Sequence, residues 1–316
     1  MNSHQVVNES GLYGAMCLAV SRVEALLTAP LGKKGLGTAY RLTNRYLLPG
    51  ETFCRAQVAE NAWMRVQTFE PYWGPVMIGQ RPYEPEIRHV IEFAASLMNG
   101  REWAFLDCGA NFGYWSAIVS SSEIGCPRVA AVEANPSTFH KLLETVELNQ
   151  YRFRALHFAI SDTCGERVFI QDFGPKAHAM ARATTEPVGV PVVTVSLDGL
   201  IDQLRWKDAG ALVIKLDVEG HEAKALSGAR RLRDSIREHL FIYEDHGSDA
   251  ACENTAAFLA EGYAVFHVNA FGECEAVMDL DTVRKTKRNP VHGYNFVAVM
   301  PDSEFHRALG EVPVRN

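Results

Sequence analysis

Residues 105–113 of the chain read Phe-Leu-Asp-Cys-Gly-Ala-Asn-Phe-Gly. An apolar run ends in an acid, Asp107, and leads directly into the spaced glycines Gly109 and Gly113. This order predicts a buried strand that turns tightly into a helix, because glycine adopts backbone conformations closed to other residues and lets a ligand approach the backbone. The first N–H groups of a helix also have no partner within it. The stretch therefore predicts a ligand site at a strand–helix turn.

The residues around the glycines indicate which ligand that site binds. A dinucleotide site would read G-x-G-x-x-G and hold its pyrophosphate at the helix N-terminus. Here the order is D-x-G-x-N-x-G. The Asp107 carboxylate would repel a pyrophosphate, whereas it suits the ammonium and sulphonium groups of S-adenosylmethionine. We therefore expect S-adenosylmethionine as the cofactor, and a nicotinamide-dependent oxidoreductase is the nearest alternative with the same fold.

Strand-like and helical segments alternate from Trp103 onward, which is typical of a parallel sheet with helices on both faces. We expect an α/β domain over residues 101–316 with a seven-stranded, mostly parallel sheet. Its expected strands are residues 103–108, 128–133, 154–160, 211–217, 239–244, 263–268 and 295–300. Its expected helices lie near residues 112–121, 137–148, 221–233 and 250–261, and an insertion over residues 162–198 contains β-like stretches at 167–172 and 190–197.

Residues 1–100 show helical patterning instead. A helix over Gly11–Leu27 is predicted, and charged residues interrupt it before it is long enough to span a membrane. We interpret the region as a helical cap or as an extension through which the chain forms homo-oligomers. The apolar face of the first helix is expected to consist of Met16, Ala19, Val23 and Leu26. A loop over residues 29–37 and helices over residues 52–68 and 86–98 are expected to follow.

Composition limits the classes of partner. The chain has 316 residues, and its 31 basic and 38 acidic side chains give a formal charge of −7. This balance argues against a general affinity for the phosphate backbone of nucleic acids. The seven cysteines are scattered and never form a C-x-x-C pair, which is typical of reduced thiols in a cytoplasmic protein. We expect a cytoplasmic protein whose partner is not a nucleic acid.

Polar residues follow the second and third expected strands, where ligands of open α/β sheets bind. The second strand ends in Glu133, followed by Ala-Asn-Pro at residues 134–136. A carboxylate at this position could accept both ribose hydroxyls of an adenosyl group. The third strand ends in Ser161 and Asp162, which could hold the edge of an adenine. A Ser-Asp pair is also typical of a plain turn.

The fourth and fifth expected strands deliver more ionisable groups. Residues 214–222 read Ile-Lys-Leu-Asp-Val-Glu-Gly-His-Glu, so Asp217 and His221 follow one buried strand closely. Glu222 is explained by its place in the first turn of a helix, where the helix dipole favours carboxylates. The fifth strand ends at residues 244–246 in Glu-Asp-His. The two sets of side chains would lie side by side if these strands are neighbours.

These motifs together resemble the successive motifs of the FkbM family of S-adenosylmethionine-dependent methyltransferases. The resemblance covers about residues 100–300, and one departure is Ala134, where the family more often has proline. It implies a Rossmann-like class I methyltransferase fold whose last strand runs antiparallel. The matching motifs are Asp107-x-Gly109-Ala110-Asn111-x-Gly113, Glu133-x-Asn135-Pro136, Lys215-x-Asp217-Val218-Glu219-Gly220-x-Glu222 and Glu244-x-His246.

The resemblance also implies roles for single residues and a reaction. The reaction is methyl transfer to a hydroxyl oxygen of a sugar or of a polyketide-type natural product. The methionine part of the cofactor would be held by Asp107, Gly109, Asn111 and Gly113, the ribose by Glu133, and the adenine by Ser161 and Asp162. Ala110, Asn135 and Asp217 complete the expected cofactor site.

Two kinds of chemistry could remove the proton of the acceptor hydroxyl. An imidazole suits this task near neutral pH, so His221 and His246, with Glu244 beside them, are the candidate catalytic residues. Alternatively, Asp217 with Glu244 or Asp245 could hold Mg²⁺, which would acidify a bound hydroxyl. A noncatalytic protein that binds adenosyl ligands is a further alternative.

Two irregular segments are candidates for contact with the acceptor. Residues 284–288 form a basic run, Arg-Lys-Thr-Lys-Arg, which is either a solvated loop or a contact for a phosphate. The insertion carries Lys176, His178 and Arg182, which could form a second wall.

Overall fold

The computed structural model describes residues 5–28, 30, 32–81, 83–171, 182–184, 186, 188–245, 252–286 and 294–311. The N-terminal extension comprises β1 (Val6–Asn8), α1 (Gly11–Leu27), α2 (Gly32–Tyr46), β2 (Phe53–Ala59), β3 (Ala62–Gln67), α3 (Trp73–Met77) and α4 (Pro85–Leu97). Its strands form an antiparallel sheet in the order β1-β2-β3. The helices predicted over residues 11–27 and 86–98 are confirmed as α1 and α4.

A hairpin replaces the helix that was predicted over residues 52–68, so that prediction is wrong. The segment forms β2 and β3, and its buried residues alternate: Cys54 and Ala56 are buried, whereas Arg55 between them is exposed. A burial period of two residues belongs to a strand with one face in the core, not to a helix.

Packing in the extension departs from the sequence pattern in two further places. The loop predicted over residues 29–37 is wrong, because α2 begins inside it. Leu36 and Tyr40 are fully buried, and this packing outweighs the weak helix propensity of the neighbouring glycines. Helix α1 also presents a different face to the core than predicted. Its buried residues are Gly14, Cys17, Leu18 and Ser21, whereas Met16, Val23 and Leu26 are exposed.

The rest of the chain alternates strands and helices as predicted. Its strands are β4 (Ala104–Cys108), β5 (Arg128–Glu133), β6 (Arg154–His157), β7 (Ala159–Ile160), β8 (Arg167–Gln171), β9 (Arg182–Thr184), β10 (Val190–Val195), β11 (Leu212–Leu216), β12 (His239–Glu244), β13 (Ala264–Val268), β14 (Cys274–Ala276) and β15 (Asn295–Val299). Its helices are α5 (Tyr114–Val119), α6 (Pro136–Leu148), α7 (Leu197–Leu204), α8 (Glu222–Ser227), α9 (Arg230–Ser235), α10 (Glu253–Ala260), α11 (Leu280–Thr286) and α12 (Glu304–Glu311).

The central sheet has the strand order β14-β13-β15-β12-β11-β4-β5-β6. Strands β12, β11, β4, β5 and β6 are parallel, and β15 is antiparallel to both of its neighbours, β12 and β13. The Rossmann-like α/β fold with an antiparallel last strand is therefore confirmed. The described part of the sheet has eight strands instead of the predicted seven, because the short strand β14 adds to the edge of β13.

Two predicted elements of this domain are divided. The strand predicted over residues 154–160 ends at His157, and the chain leaves the central sheet at Phe158. Its last part, β7, joins a separate four-stranded sheet of the insertion, in the order β7-β10-β8-β9. The helix predicted over residues 221–233 consists of α8 and α9. Helix α7 was not predicted.

The extension and the central sheet share one apolar core. Phe105 of β4 and Val213 of β11 face the same buried cluster as Trp73, Ile87 and other residues of the extension. The opposite face of the sheet packs against the helices from α7 to α10. The extension is therefore packed on one face of the sheet.

None of the described helices is both long and apolar enough to cross a membrane.

Candidate active site

A cavity of about 300 Å³ opens at the carboxyl ends of β4, β5, β11 and β12, and we call it the central cavity. Its wall includes Gly109 after β4, Glu133 at the end of β5, Asp217 after β11 and Glu244 at the end of β12. Strand β11 lies between β4 and β12 in the sheet. The motifs of the fourth and fifth predicted strands are thus neighbours.

The turn over residues 109–113, which we call the glycine turn, lets the ends of β4 and β11 touch. Gly109 has a φ of +80°, and a Cβ added to it would overlap the carbonyl oxygen of Asp217. Gly113 has a φ of +87°, and a Cβ there would lie 2.7 Å from a methyl carbon of Leu142. Gly109, Ala110 and Asn111 line the central cavity, as a cofactor site at this turn requires. Gly113 packs instead against α6.

Asp107 lies beneath the central cavity and is not part of its wall. It is only 1% exposed, and its Oδ2 accepts hydrogen bonds from the backbone N–H and the hydroxyl of Ser116 at 3.2 and 2.7 Å. Its Oδ1 has no hydrogen-bond partner among the described residues. Burial raises the pKa of the Asp107 carboxyl, while Lys215 opposes that rise. The observed contacts of Asp107 hold the start of α5.

Glu133 joins the first two motifs. Its Oε2 accepts a hydrogen bond from the backbone N–H of Asn111 at 2.9 Å, and its Oε1 accepts one from the backbone N–H of Asn135 at 2.8 Å. Burial raises the pKa of Glu133 to about 7, although these N–H groups lower it. Asn135 caps the N-terminus of α6, where its Oδ1 accepts a hydrogen bond from the N–H of Ser137 at 2.9 Å. The buried Nδ2 of Asn135 has no hydrogen-bond partner within the described ranges.

A cluster of charged groups lies at the ends of β11 and β12. Lys215 is buried, and its Nζ is 2.9 Å from Oδ2 of Asp217. Burial alone would lower the pKa of Lys215, but Asp217, Glu84 and the other nearby carboxylates raise it above its ordinary value. Among the described residues of the cavity wall, five carry a carboxyl group and one, Lys215, carries an amine. The wall is therefore acidic.

The extension contributes a second side of the central cavity, which sequence reasoning missed. Tyr72, Trp73, Tyr83 and Glu84 all line it. The indole N–H of Trp73 donates to Oδ1 of Asn111 at 3.0 Å, so the extension contacts the glycine turn directly. The stretch that contains these residues lies between the helices predicted over residues 52–68 and 86–98, and no role was predicted for it. The signal that could have found it is its density of aromatic residues beside a glutamate.

Glu84 occupies a constrained position in this wall. It precedes Pro85 at the start of α4 and has a φ of +42°, in the left-handed region. Its Oε2 accepts a hydrogen bond from the indole N–H of Trp115 at 3.3 Å. Burial raises the pKa of Glu84 to about 8, and the carboxylate of Glu244 adds to the rise while Lys215 opposes it.

Two of the three predicted catalytic residues lie among the described residues. His221 and Glu244 both line the central cavity. His246 lies outside the described residues. Glu222 is buried and structural: its Oε1 accepts hydrogen bonds from the N–H groups of Val218 and Gly220 at 3.1 and 3.3 Å. These bonds hold the loop between β11 and α8.

The residues predicted to hold the adenine line a neighbouring cavity. This second cavity encloses about 330 Å³, and its wall includes Ser161 and Asp162. The Ser161 hydroxyl donates to Oδ1 of Asp162 at 2.9 Å. Ile160 and His221 line both cavities, so the two are adjacent.

The arrangement does not support the Mg²⁺ alternative. Within the described ranges, no group of three or more His, Cys, Asp or Glu side chains is placed to hold a metal ion. The Lys215 ammonium already pairs with Asp217. Asp245 is buried and directed elsewhere, because its Oδ2 accepts hydrogen bonds from the N–H and hydroxyl of Thr255 at 2.9 and 2.6 Å. These contacts do not support Asp245 as a metal ligand.

The two segments proposed to contact the acceptor are only partly described. Helix α11 ends at Thr286, and Arg284 pairs with Asp281 at 2.5 Å. The remainder of the basic run, from residue 287 onward, lies outside the described residues, as do Lys176 and His178. Arg182 belongs to β9.

Comparison with known proteins gives a family match over much of this region. The family model described as Methyltransferase FkbM domain matches residues 107–271. Hexuronic acid methyltransferase AglP from Haloferax volcanii is 29% identical over 140 residues, which is 44% of this chain and 54% of that protein. The chain thus spans about half the length of this curated relative.

Two solved structures are also similar. Methyltransferase FkbM from Methylobacillus flagellatus shares 18% identity at a TM-score of 0.39, over 62% of this chain and 43% of its own. The O-methyltransferase from Bacillus cereus, in complex with SAH, shares 10% identity at a TM-score of 0.36, over 69% of this chain and 82% of its own. Because the family model covers half of the sequence and includes the strand-end motifs from Asp107 to Glu244, the chain belongs to the FkbM methyltransferase family.

Proposed function

We propose that this chain transfers a methyl group from S-adenosylmethionine to a hydroxyl oxygen of a glycan or of a polyketide-type small molecule. The observation that carries the proposal is the position of Glu133, a buried carboxylate fixed by the N–H groups of Asn111 and Asn135 in the wall of the central cavity. A carboxylate held in this way can accept the two hydroxyls of a ribose. The relative from Haloferax volcanii, a hexuronic acid methyltransferase, supports a glycan acceptor.

The chemistry of the two cavities fits this cofactor. S-adenosylmethionine, when bound, supplies an electrophilic methyl group on a sulphonium cation. The acidic wall of the central cavity favours a cation. The buried Nδ2 of Asn135 has no acceptor among the described residues, so an oxygen or nitrogen of the cofactor could accept its hydrogen bond. Gly109, Ala110 and Asn111 would hold the methionine part, Glu133 the ribose, Ser161 and Asp162 the adenine, and Asp217 would complete the site.

The protein's own part in the reaction is to position the acceptor and to take its proton. Positioning by a fixed cavity converts an encounter between two molecules into a reaction within one complex. A placed base contributes about 10²–10⁴-fold in rate. His221 and Glu244 line the cavity and are the described candidates for this proton transfer. Trp73, Tyr72 and Tyr83 cover one side, where they exclude water.

Two other functions use the same fold. A nicotinamide-dependent oxidoreductase must bind a pyrophosphate, which the acidic wall of the central cavity disfavours. A noncatalytic module would bind the adenosyl ligand without turning it over.

Calorimetry with S-adenosylmethionine, S-adenosylhomocysteine and NAD distinguishes the proposed methyltransferase from a nicotinamide-dependent oxidoreductase. We expect binding of the two adenosyl ligands and none of NAD. Transfer of a labelled methyl group is then measured on a panel of neutral hexosides, hexuronic acids and polyhydroxylated natural products. Binding of NAD alone would contradict the proposal, and binding without transfer to any acceptor would favour the noncatalytic module.

A further inference from the structure

Positive charge is scarce in the central cavity. Glu84, Asp217 and Glu244 line it together with one ammonium among its described residues, that of Lys215, whose Nζ lies 2.9 Å from Oδ2 of Asp217. Asp107 lies beside Lys215 on the neighbouring strand. Like charges that share a cavity of low dielectric disfavour full ionisation of every carboxyl group. One of them is therefore expected to keep a proton until a further cation arrives.

Glu84 receives its described hydrogen bonds from neutral side chains. Glu133, by contrast, receives two backbone N–H bonds, and Asp217 receives the Lys215 ammonium. The described partners of Glu84 are the indole N–H of Trp115, at 3.3 Å, and the side chain of Tyr83. The titratable and charged groups that face Glu84 are Tyr72 and Tyr83 of the extension, Tyr114 of α5, Lys215 and Asp217 of β11 and its end, and Glu244 of β12.

We propose that Glu84 is a charge-sensing residue: its carboxyl is protonated in the ligand-free protein and loses its proton when the cationic cofactor binds in the central cavity. The proposal rests on the proposed function, because it requires S-adenosylmethionine as the ligand. Its geometric basis is the shared cavity: Glu84, Asp217 and Glu244 line it with one described ammonium, that of Lys215, and a bound sulphonium would add a second positive charge there. The pKa of Glu84, raised to about 8 by burial and by Glu244, agrees with it.

The consequence is a distinction between the methyl donor and its product. S-adenosylhomocysteine has the same ribose and adenine as S-adenosylmethionine but lacks the sulphonium charge. Glu84 should therefore ionise for the donor and remain protonated for the product, so that the site favours the donor increasingly as pH rises toward about 8. The extension then determines cofactor specificity, although the cofactor motifs lie in the other part of the chain.

Calorimetry in two buffers with different ionisation enthalpies tests this without any acceptor. At pH 7 the parent protein should release about one more proton on binding S-adenosylmethionine than on binding S-adenosylhomocysteine. The difference isolates the sulphonium, because any response of Glu133 to the shared ribose occurs with both ligands. Glu84→Gln should abolish the difference, and Glu51→Gln, at an exposed glutamate, should preserve it. Retained binding of S-adenosylhomocysteine shows that the Glu84→Gln protein is folded.

The pH dependence of affinity tests the same point in the parent protein. Affinity for S-adenosylmethionine should rise up to tenfold per pH unit below about pH 8 relative to that for S-adenosylhomocysteine, then level off. The inference would be overturned if the parent protein released the same number of protons with both ligands. It would also be overturned if the extra proton released with S-adenosylmethionine persisted in Glu84→Gln. If neither ligand binds, the proposed function fails and the inference fails with it. If both ligands bind but release the same number of protons, only the role of Glu84 is rejected, and the proposed function stands.

Discussion

Gly109 lies against the carbonyl oxygen of Asp217, so close that no side chain fits between them. The two residues follow neighbouring parallel strands, β4 and β11. Their contact brings the glycine turn, which is expected to hold the cofactor, next to the acidic loop that carries the candidate base His221. A glycine that looks in the sequence like a ligand-binding feature therefore also sets the distance between two halves of the site.

The first prediction concerns this contact. Gly109→Ala should lower the free energy of unfolding by about 3 kcal/mol or more, because alanine adds left-handed strain to a steric overlap with backbone. Urea unfolding measures the loss. Gly100→Ala is the matched control: Gly100 has a φ of +76° but nothing within 4 Å of an added Cβ. It should lose only about 1 kcal/mol. Equal losses in the two variants would show that the contact with Asp217 does not constrain the fold.

Glu133 leads to a prediction about stability and pH. Its pKa rises from an ordinary 4.5 to about 7 in the folded chain, so between these values the folded state binds the proton more tightly than the unfolded state. The stabilisation is complete below the unfolded value and is lost as pH rises through about 7. Its size is roughly 3 kcal/mol. Urea unfolding from pH 4 to 8 should therefore show a decline in the free energy of unfolding that is smaller in Glu133→Gln than in the parent. If the free energy of unfolding falls equally with pH in both proteins, Glu133 is not the source of the decline.

The strand ends could be predicted because their signals are local. An apolar run, an acid and spaced glycines specify a strand–turn–helix within nine residues, and β5 and β12 were predicted to the residue. The alternation of strands and helices then implies parallel order, which brings Glu133, Asp217 and Glu244 to one edge. Most of the predicted cofactor residues accordingly lie around the two cavities.

The second side of the central cavity could not be predicted in this way. Trp73 and Glu84 reach it through packing of the extension against the sheet, and no periodicity or motif encodes a contact across that distance in sequence. Asp107 shows the converse limit. Its position at a strand end was predicted, but whether its carboxylate faces a ligand or the start of α5 depends on how the turn closes.

A third prediction separates structural acids from those in the cavity wall. Asp245→Ala should lower the free energy of unfolding by about 1–3 kcal/mol, because it leaves the buried N–H and hydroxyl of Thr255 without their acceptor. Affinity for S-adenosylhomocysteine should not change. Asp208→Ala removes an exposed ion pair with Arg128 and should cost less than about 1 kcal/mol. A marked loss of affinity in Asp245→Ala would return Asp245 to the site.

The contact between the extension and the glycine turn gives a fourth prediction. Trp73→Phe keeps an aromatic ring but removes the N–H that donates to Asn111. Affinity for S-adenosylmethionine should fall by about 0.5–1.5 kcal/mol, because Asn111 is then held less firmly. Trp63→Phe is the control, since the Trp63 ring lies on the hairpin under Arg55, away from the central cavity. Calorimetry that shows the same affinity in both variants would remove Trp73 from the cofactor site.

The last prediction distinguishes a histidine base from a metal. Among the described candidates, His221 borders both cavities, so its imidazole can reach a hydroxyl placed beside the cofactor. Once an acceptor is found, His221→Ala should lower turnover by about 10²–10⁴-fold while affinity for S-adenosylhomocysteine stays near that of the parent. EDTA should leave the parent rate unchanged, because Lys215 already supplies the positive charge beside Asp217. If His221→Ala turns over at the parent rate and EDTA abolishes activity that Mg²⁺ restores, the metal route replaces the histidine. If His221→Ala retains activity and EDTA has no effect, the base lies elsewhere, and Glu244→Gln and His246→Ala become the deciding variants.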